Sequence, residues 1–198
     1  MYAWTISTNN LSQEQRENVG NYNFDHPDSL DFDDMYECIK ELLDYKDVMI
    51  PDYDFATHSR KAEKIPVKSS HFILFEGILA LYDERIRDMM DIKIYVTEDN
   101  DTRLLRRIKR DIRERGRTLE NVLLQWHKTV KPSFDEFVAG TLKHADIIVN
   151  GNQNNKKAVN FICFNLKSIL KEYIEFYQQS KKDIGAVSEK EVIQEEEA

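Results

Sequence analysis

Residues 71–77, HFILFEG, constrain this chain more tightly than any other stretch. Their apolar side chains follow one another directly, without the polar alternation of a half-exposed strand. That pattern predicts a strand covered on both faces, and such strands belong to parallel sheets flanked by helices. The run stops at Glu76 and Gly77, and open parallel sheets hold ligands at the ends of their strands. Residues 92–96, IKIYV, and 145–149, ADIIV, read as two more strands, each leading toward a stretch of helical periodicity. Strand and helix alternate, so the fold class expected is α/β with a parallel sheet. At 198 residues and 41 % hydrophobic, the chain can bury one core with a small appended subdomain.

Between two of those strands lies TRLLRRIKRDIRERGR, residues 102–117. From Asp101 to Arg117 there are eight Lys/Arg against three Asp/Glu, a net +5 in a chain whose formal charge is −8. Arg103, Arg106, Arg107 and Arg110 recur at helical spacing, and Leu104, Leu105, Ile108 and Ile112 offer the opposite face something to bury. Gly116 is a usual helix stop, which places Arg115 and Arg117 at the exit. Guanidinium groups present planar, forked donors that suit phosphate oxygens. Two readings stand at this point: an anion-binding helix, or a solvated helix held by pairs such as Arg110 with Glu114. The acidic pI near 5.2 argues against general nucleic-acid binding and favours a small phosphorylated ligand.

Elsewhere the chain reads in order. Residues 2–7 form one candidate strand. Residues 23–28, NFDHPD, are turn-rich and lead into a helix over 33–45 carrying Met35, Ile39, Leu42 and Leu43 on one side. Residues 48–50 and 65–67 read as two strands of a hairpin, with Pro51 and Pro66 suited to edges. Between them, Tyr53, Phe55, His58 and Arg60 bring together aromatic and polar groups. Residues 83–90 form a short helix. Thr118 caps a long helix that runs past Gln125 and is kinked or split at Pro132. A last helix extends from Asn155 to about residue 177. Beyond it, residues 183–198 carry six acids against one Lys, the composition of a disordered tail. Three segments follow: 1–22, irregular; 23–178, the folded domain; and 179–198, the acidic tail. Cys38 and Cys163 read as packed free thiols, and no apolar run is long enough to span a bilayer.

Taken together, NFDHPDSLD, IPDYDFATHSR, ILFEGILALY, the arginine-rich run, VKPSFDEF and ADIIV resemble the uridine-cytidine kinase family, nearly unbroken from residue 22 to about 170. The resemblance implies the nucleoside-kinase version of the phosphate-loop fold, with a β-hairpin insert that reads the nucleoside. It also implies ATP-dependent phosphorylation of uridine and cytidine to UMP and CMP in pyrimidine salvage, with ATP and Mg²⁺ as cofactors. A cytoplasmic location and assembly as a homo-tetramer follow from the same likeness. In that frame Asp25 and Arg107 hold the ribose hydroxyls. Tyr53 and His58 read the pyrimidine edge, with Phe24 and Phe55 packing on the base. Gln125 contacts the nucleoside, and Arg110, Arg115 and Arg117 serve as the catalytic arginines that stabilise the phosphates. Glu76 sits near the magnesium, and Asn155 belongs to the adenine-side loop.

The chain also departs from the family pattern. The donor-binding string GxxxxGKS/T does not occur in it: Gly20, Gly77, Gly116, Gly140, Gly151 and Gly185 never bracket a Lys in that way. The family's Asp base has no counterpart, since residues 1–24 contain only Glu14 and Glu17 as acids. The expectation is a sheet whose central phosphate-loop strand is missing, in an N-terminally incomplete chain that does not turn over as given. The other reading is an inactive, kinase-like nucleoside-binding or regulatory subunit.

Overall fold

Pro27 opens the first described turn, the 3-10 segment Pro27–Ser29, which His26 caps by accepting the Asp28 N–H on Nδ1 at 3.1 Å. In the computed structural model the described residues are 18, 21–54, 59–151 and 155–196. Contacts divide the chain into Met1–Val149 and Asn150–Ala198. That division differs in kind from the composition changes expected near residues 22 and 178. The candidate strand over 2–7 lies outside the described residues.

Helix α1 spans Phe32–Leu43, and Asp31 caps it by accepting the Asp34 N–H at 3.1 Å. Met35, Ile39 and Leu42, four and three residues apart, are its buried face. Met35 and Ile39 pack with Ile86 from α2, Glu84–Asp88, and with the partly buried Leu30, Phe32 and Phe75. Leu42 packs with Val48 and Ile50. These last two belong to β1, Val48–Asp54, which pairs antiparallel with β2, Ser59–Val67. The register sets Ile50 opposite Ile65 and Tyr53 opposite Arg60, with an irregularity between Pro51 and Tyr53. Pro51 and Pro66 are tolerated because both strands of a two-stranded sheet are edges. The hairpin is longer than the two short strands expected.

A second two-stranded sheet joins β3, Ile94–Thr97, to β4, Ile147–Asn150. Lys93 O accepts from the Asp146 and Ile147 amides, and Thr97 Oγ1 donates to Val149 O. The strands therefore run parallel. Helix α3, Asn100–Arg115, leaves β3 and ends on Gly116 at φ 63°. A Cβ at Gly116 would meet nothing within 4 Å, so the left-handed backbone, and not crowding, selects glycine there. Thr118 caps α4, Leu119–Gln125, accepting the Asn121 N–H at 3.3 Å. Right-handed helical backbone then continues past Gln125. Widened π turns, Trp126–Val130 and Phe134–Val138, flank a short α5, Lys131–Ser133, and a 3-10 stretch closes it at Ala139–His144. Pro132 lacks the N–H an uninterrupted α-helix needs, and the α-helix expected to be kinked or split there is interrupted by the widened turns on both sides of it.

Residues 71–77 are not a strand: 71 lies in a bend, and none of 72–77 is paired in a sheet among the described residues. Ile73 and Phe75 turn inward to the two cores, while Leu74 is 77 % exposed and Glu76 is exposed as well. The apolar run specified burial, yet burial of both faces needs a paired neighbour. The parallel sheet expected is present among the described residues as the β3–β4 pair, without the 71–77 strand, and the expected hairpin stands apart from it as an antiparallel sheet. Helix α6 covers Lys156–Glu196. Lys, Glu, Gln and Ala within it are good helix formers. In the same helix Cys163 is exposed, not packed, whereas Cys38 on α1 is partly buried and its thiol is pushed up to about 11, first by burial. Among the described residues no helix is long and apolar enough to cross a membrane.

Candidate functional site

The loop carrying Asp25 is fastened from both sides. Asn23 Nδ2 donates to Ser133 Oγ on α5 at 2.9 Å, while Asn23 Oδ1 accepts the Asp25 N–H at 3.1 Å. Ser29 Oγ donates to Phe24 O at 2.8 Å. The His26 ring meets Phe137 edge-on at 4.6 Å, and Phe24 meets Tyr22 at 4.9 Å. Asp25 is thereby fixed in a half-buried position, where burial pushes its carboxyl above the ordinary carboxylate range against the opposing charges of Arg107 and Arg110. Phe24 lines a cavity of about 120 Å³ with Phe32, Met35, Phe75 and Leu79, and Glu76 contributes to its wall.

Helix α3 half-buries Leu104 and Ile108 of the apolar face expected, but not all of that face. Leu105 is 67 % exposed and Ile112 is exposed, whereas Arg103, Arg107 and Asp111, spaced by four, face the protein. Arg103 lies over the Phe134 ring at 3.5 Å. Asp111 is completely buried and surrounded by cations: Arg110 Nε at 2.8 Å, Arg117 Nη1 at 3.2 Å, Arg115 Nη1 at 3.5 Å and Arg107 Nε at 3.7 Å. Burial acts to raise the Asp111 carboxyl, but the Arg110 hydrogen bond and the charges of Arg110, Arg107 and Arg115 hold it below the ordinary range. Arg110 thus pairs with Asp111 in place of the Glu114 pairing considered from sequence. Gln125 Oε1, at the end of α4, accepts from Arg107 Nη2 at 3.0 Å and from Arg117 Nη1 at 2.8 Å.

The structure therefore gathers Asp25, Arg107, Arg110, Arg115, Arg117 and Gln125 into one neighbourhood, with Phe24 beside Asp25. Glu76 shares the cavity wall with Phe24, exposed and at the end of the apolar run. Among the described residues no group of three His, Cys, Asp or Glu side chains converges as a metal cage. A single accessible carboxylate still fits magnesium, which is commonly held by one or two carboxylates with water and phosphate oxygens completing the shell. The Tyr53 backbone sits in β1, and its side chain, together with Phe55 and His58, lies outside the described residues. Asn155 belongs to the second unit, where its Nδ2 donates to Asn150 O at 2.5 Å and its own carbonyl accepts from Val159 N–H at 3.2 Å. There it shapes the turn into α6. Asn23, Ser133 and Asp111 were missed from sequence, although Asp111 carried a signal: one acid placed four residues after Arg107 and four before Arg115.

A model of the phosphoribulokinase / uridine kinase family matches residues 2–158, more than half of the chain. The chain belongs to that family. Uridine-cytidine kinase B of Dictyostelium discoideum is 48 % identical over 162 residues, covering 82 % of this chain and 67 % of the relative. Uridine-cytidine kinase A of the same organism is 48 % identical over 163 residues, 82 % of this chain and 32 % of the relative. Uridine-cytidine kinase 2-B of Danio rerio is 44 % identical over 162 residues, 81 % of this chain and 62 % of the relative. The stretch matched by the phosphoribulokinase / uridine kinase family contains the Asp25 loop, the hairpin, the arginine helix and Gln125. The likeness thus extends over every part of the site described above.

Proposed function

We propose that this chain is the nucleoside-binding part of a uridine-cytidine kinase, which transfers the terminal phosphate of ATP to the 5'-hydroxyl of uridine or cytidine in cytoplasmic pyrimidine salvage. The observation that carries this reading is Asp25, a carboxylate pinned by Asn23 and facing Arg107 and Arg110, in a chain of this family. A carboxylate with two free lone-pair directions accepts from two vicinal hydroxyls, and a guanidinium on the other side completes the grip. Tyr53 and His58 would read the base edge, with Phe24 and Phe55 against its faces and Gln125 donating to the nucleoside. Arg110, Arg115 and Arg117 would stabilise the charge that shifts during transfer. Glu76 would hold magnesium beside the phosphates, and Asn155 would border the adenine. Assembly as a tetramer belongs to the same reading.

The relevant test is binding by the 198-residue protein. Uridine and cytidine are expected to bind saturably and to compete with each other in calorimetric titration. Deoxyuridine should bind at least about tenfold more weakly, because Asp25 loses one hydroxyl donor. A protein that binds neither nucleoside, or that does not distinguish ribose from deoxyribose, would sink the assignment. We further infer that these residues bind without transferring phosphate, since no glycine-bracketed Lys cradles the donor. Radiolabelled uridine with ATP and magnesium should give no detectable product. Turnover of about 1 s⁻¹ or above, the lower range for kinases, would show that residues here supply a donor site of another kind.

A further inference from the structure

Asp111 is the one completely buried charged side chain among the described residues of the core, and the roles proposed above leave it unused. Its two carboxylate oxygens divide the surrounding cations between them. Oδ1 accepts from Arg110 Nε at 2.8 Å with Arg115 Nη1 at 3.5 Å, and Oδ2 accepts from Arg117 Nη1 at 3.2 Å, while Arg107 Nε at 3.7 Å is held by charge without a hydrogen bond. Its backbone carbonyl accepts from the Gly116 N–H and, at 3.0 Å, from the Arg117 N–H. The same residue therefore shapes the left-handed turn through which Arg115 and Arg117 leave the helix. An arginine without a partner samples many rotamers, and ordering it costs conformational entropy. Four guanidiniums within about three helical turns also repel one another. A single carboxylate at their centre relieves both costs while leaving a surplus of positive charge for a ligand.

We propose that Asp111 is the positioning residue of this site: its buried carboxylate holds Arg107, Arg110, Arg115 and Arg117 in place before any ligand arrives, which rests on the nucleoside-binding reading of the cluster given above. Through Arg107 and Arg117 that order extends to Gln125, whose amide oxygen both arginines hold. Those two N–H donors can only face an oxygen, so the Gln125 NH₂ is directed away from them and is available to a ligand acceptor. Asp111 thereby acts on nucleoside recognition through other side chains.

Uridine, which carries no charge, separates positioning from simple electrostatics. NMR of the arginine Nε–Hε groups in the wild-type protein without ligand should show ordered, slowly exchanging signals for Arg107, Arg110, Arg115 and Arg117. Averaged signals for these four in the wild type would overturn the proposal without any variant. In Asp111→Asn, shown to be folded by circular dichroism, the signals should average and uridine affinity should fall by about tenfold, or roughly 1.4 kcal/mol. Asp111→Glu, which keeps the charge one methylene further out, should lie between the two. A folded Asp111→Asn with ordered arginine signals and wild-type uridine affinity would overturn the proposal. So would tighter binding of inorganic pyrophosphate with unchanged uridine affinity, since that pattern reports charge alone. A wild type that fails to bind uridine would sink the nucleoside reading, and the arginine signals would still decide the positioning role on their own.

Discussion

Asn23 and Ser133, 110 residues apart in sequence, hydrogen-bond each other: Asn23 Nδ2 donates to Ser133 Oγ at 2.9 Å. Ser133 is buried, and Asn23 uses its other amide atom to hold the Asp25 N–H. The contact therefore connects the loop that carries the site's carboxylate to the helical segment around Pro132. Ser133→Ala removes a buried partner and leaves Asn23 unsatisfied on that side, at a cost of about 1–2 kcal/mol. Urea unfolding should show that loss, and uridine affinity should fall as the Asp25 loop loosens. Unchanged stability would show that Asn23 finds another partner.

Asp25 and Asp111 contribute to stability with opposite signs. The folded value for Asp25 is raised, first by burial, so the folded state holds the extra proton in the window above about pH 3.9, the ordinary Asp value. Stability drawn from this group falls as pH rises through that window. Asp111 is held low by its arginines, so its contribution is present above the ordinary value and is lost as pH falls through the lower folded one. Asp25→Asn should accordingly melt higher than wild type at pH 7, lose that advantage near pH 3, and bind uridine at least about tenfold more weakly. A variant that melts lower than wild type at pH 7 would contradict the buried-carboxylate account.

Arg60 at the start of β2 has Nη2 3.8 Å from Asp31 Oδ2 and 3.9 Å from Asp34 Oδ2, which ties the hairpin to the first turn of α1. At these distances the pairs steer more than they stabilise, and Arg60→Gln should cost no more than about 1 kcal/mol. Its effect belongs in the hairpin: amide exchange in β1 and β2 should speed up while α3 and α4 exchange as before. Uniform acceleration across the protein would mean that Arg60 supports the fold as a whole.

Much of this arrangement was legible in the residues. Met35, Ile39 and Leu42 announced α1, Thr118 and Gly116 marked helix ends, and the strings around Asp25 and Arg107 pointed to the family. The apolar run at 72–77 was misread because consecutive apolar residues specify burial without specifying a pairing partner. Asp111 was overlooked for a related reason. Hydrophobic periodicity assigned Leu104, Leu105, Ile108 and Ile112 to the inside; Leu104 and Ile108 are half-buried, but Leu105 and Ile112 are exposed, and Arg103, Arg107 and Asp111 share the inward side, where charge satisfies charge. Asn23 and Ser133 could not be paired from sequence, since each is an ordinary turn or helix residue until the fold brings them together.

Gln125 provides the sharpest separation of stability from recognition. Its amide oxygen accepts from Arg107 at 3.0 Å and Arg117 at 2.8 Å, so only its NH₂ is left for a ligand. Gln125→Glu keeps the shape and the two accepted bonds, and turns both from charge–neutral bonds into ion pairs, which should raise stability by about 1 kcal/mol. The same change removes both N–H donors and sets a carboxylate toward the space where a nucleoside oxygen would lie. Uridine affinity should therefore drop by about tenfold or more while the melting temperature rises. Thermal melting and calorimetric titration of one protein sample decide the matter. A Gln125→Glu variant that binds uridine as the wild type does would mean that the Gln125 amide serves only to join two arginines.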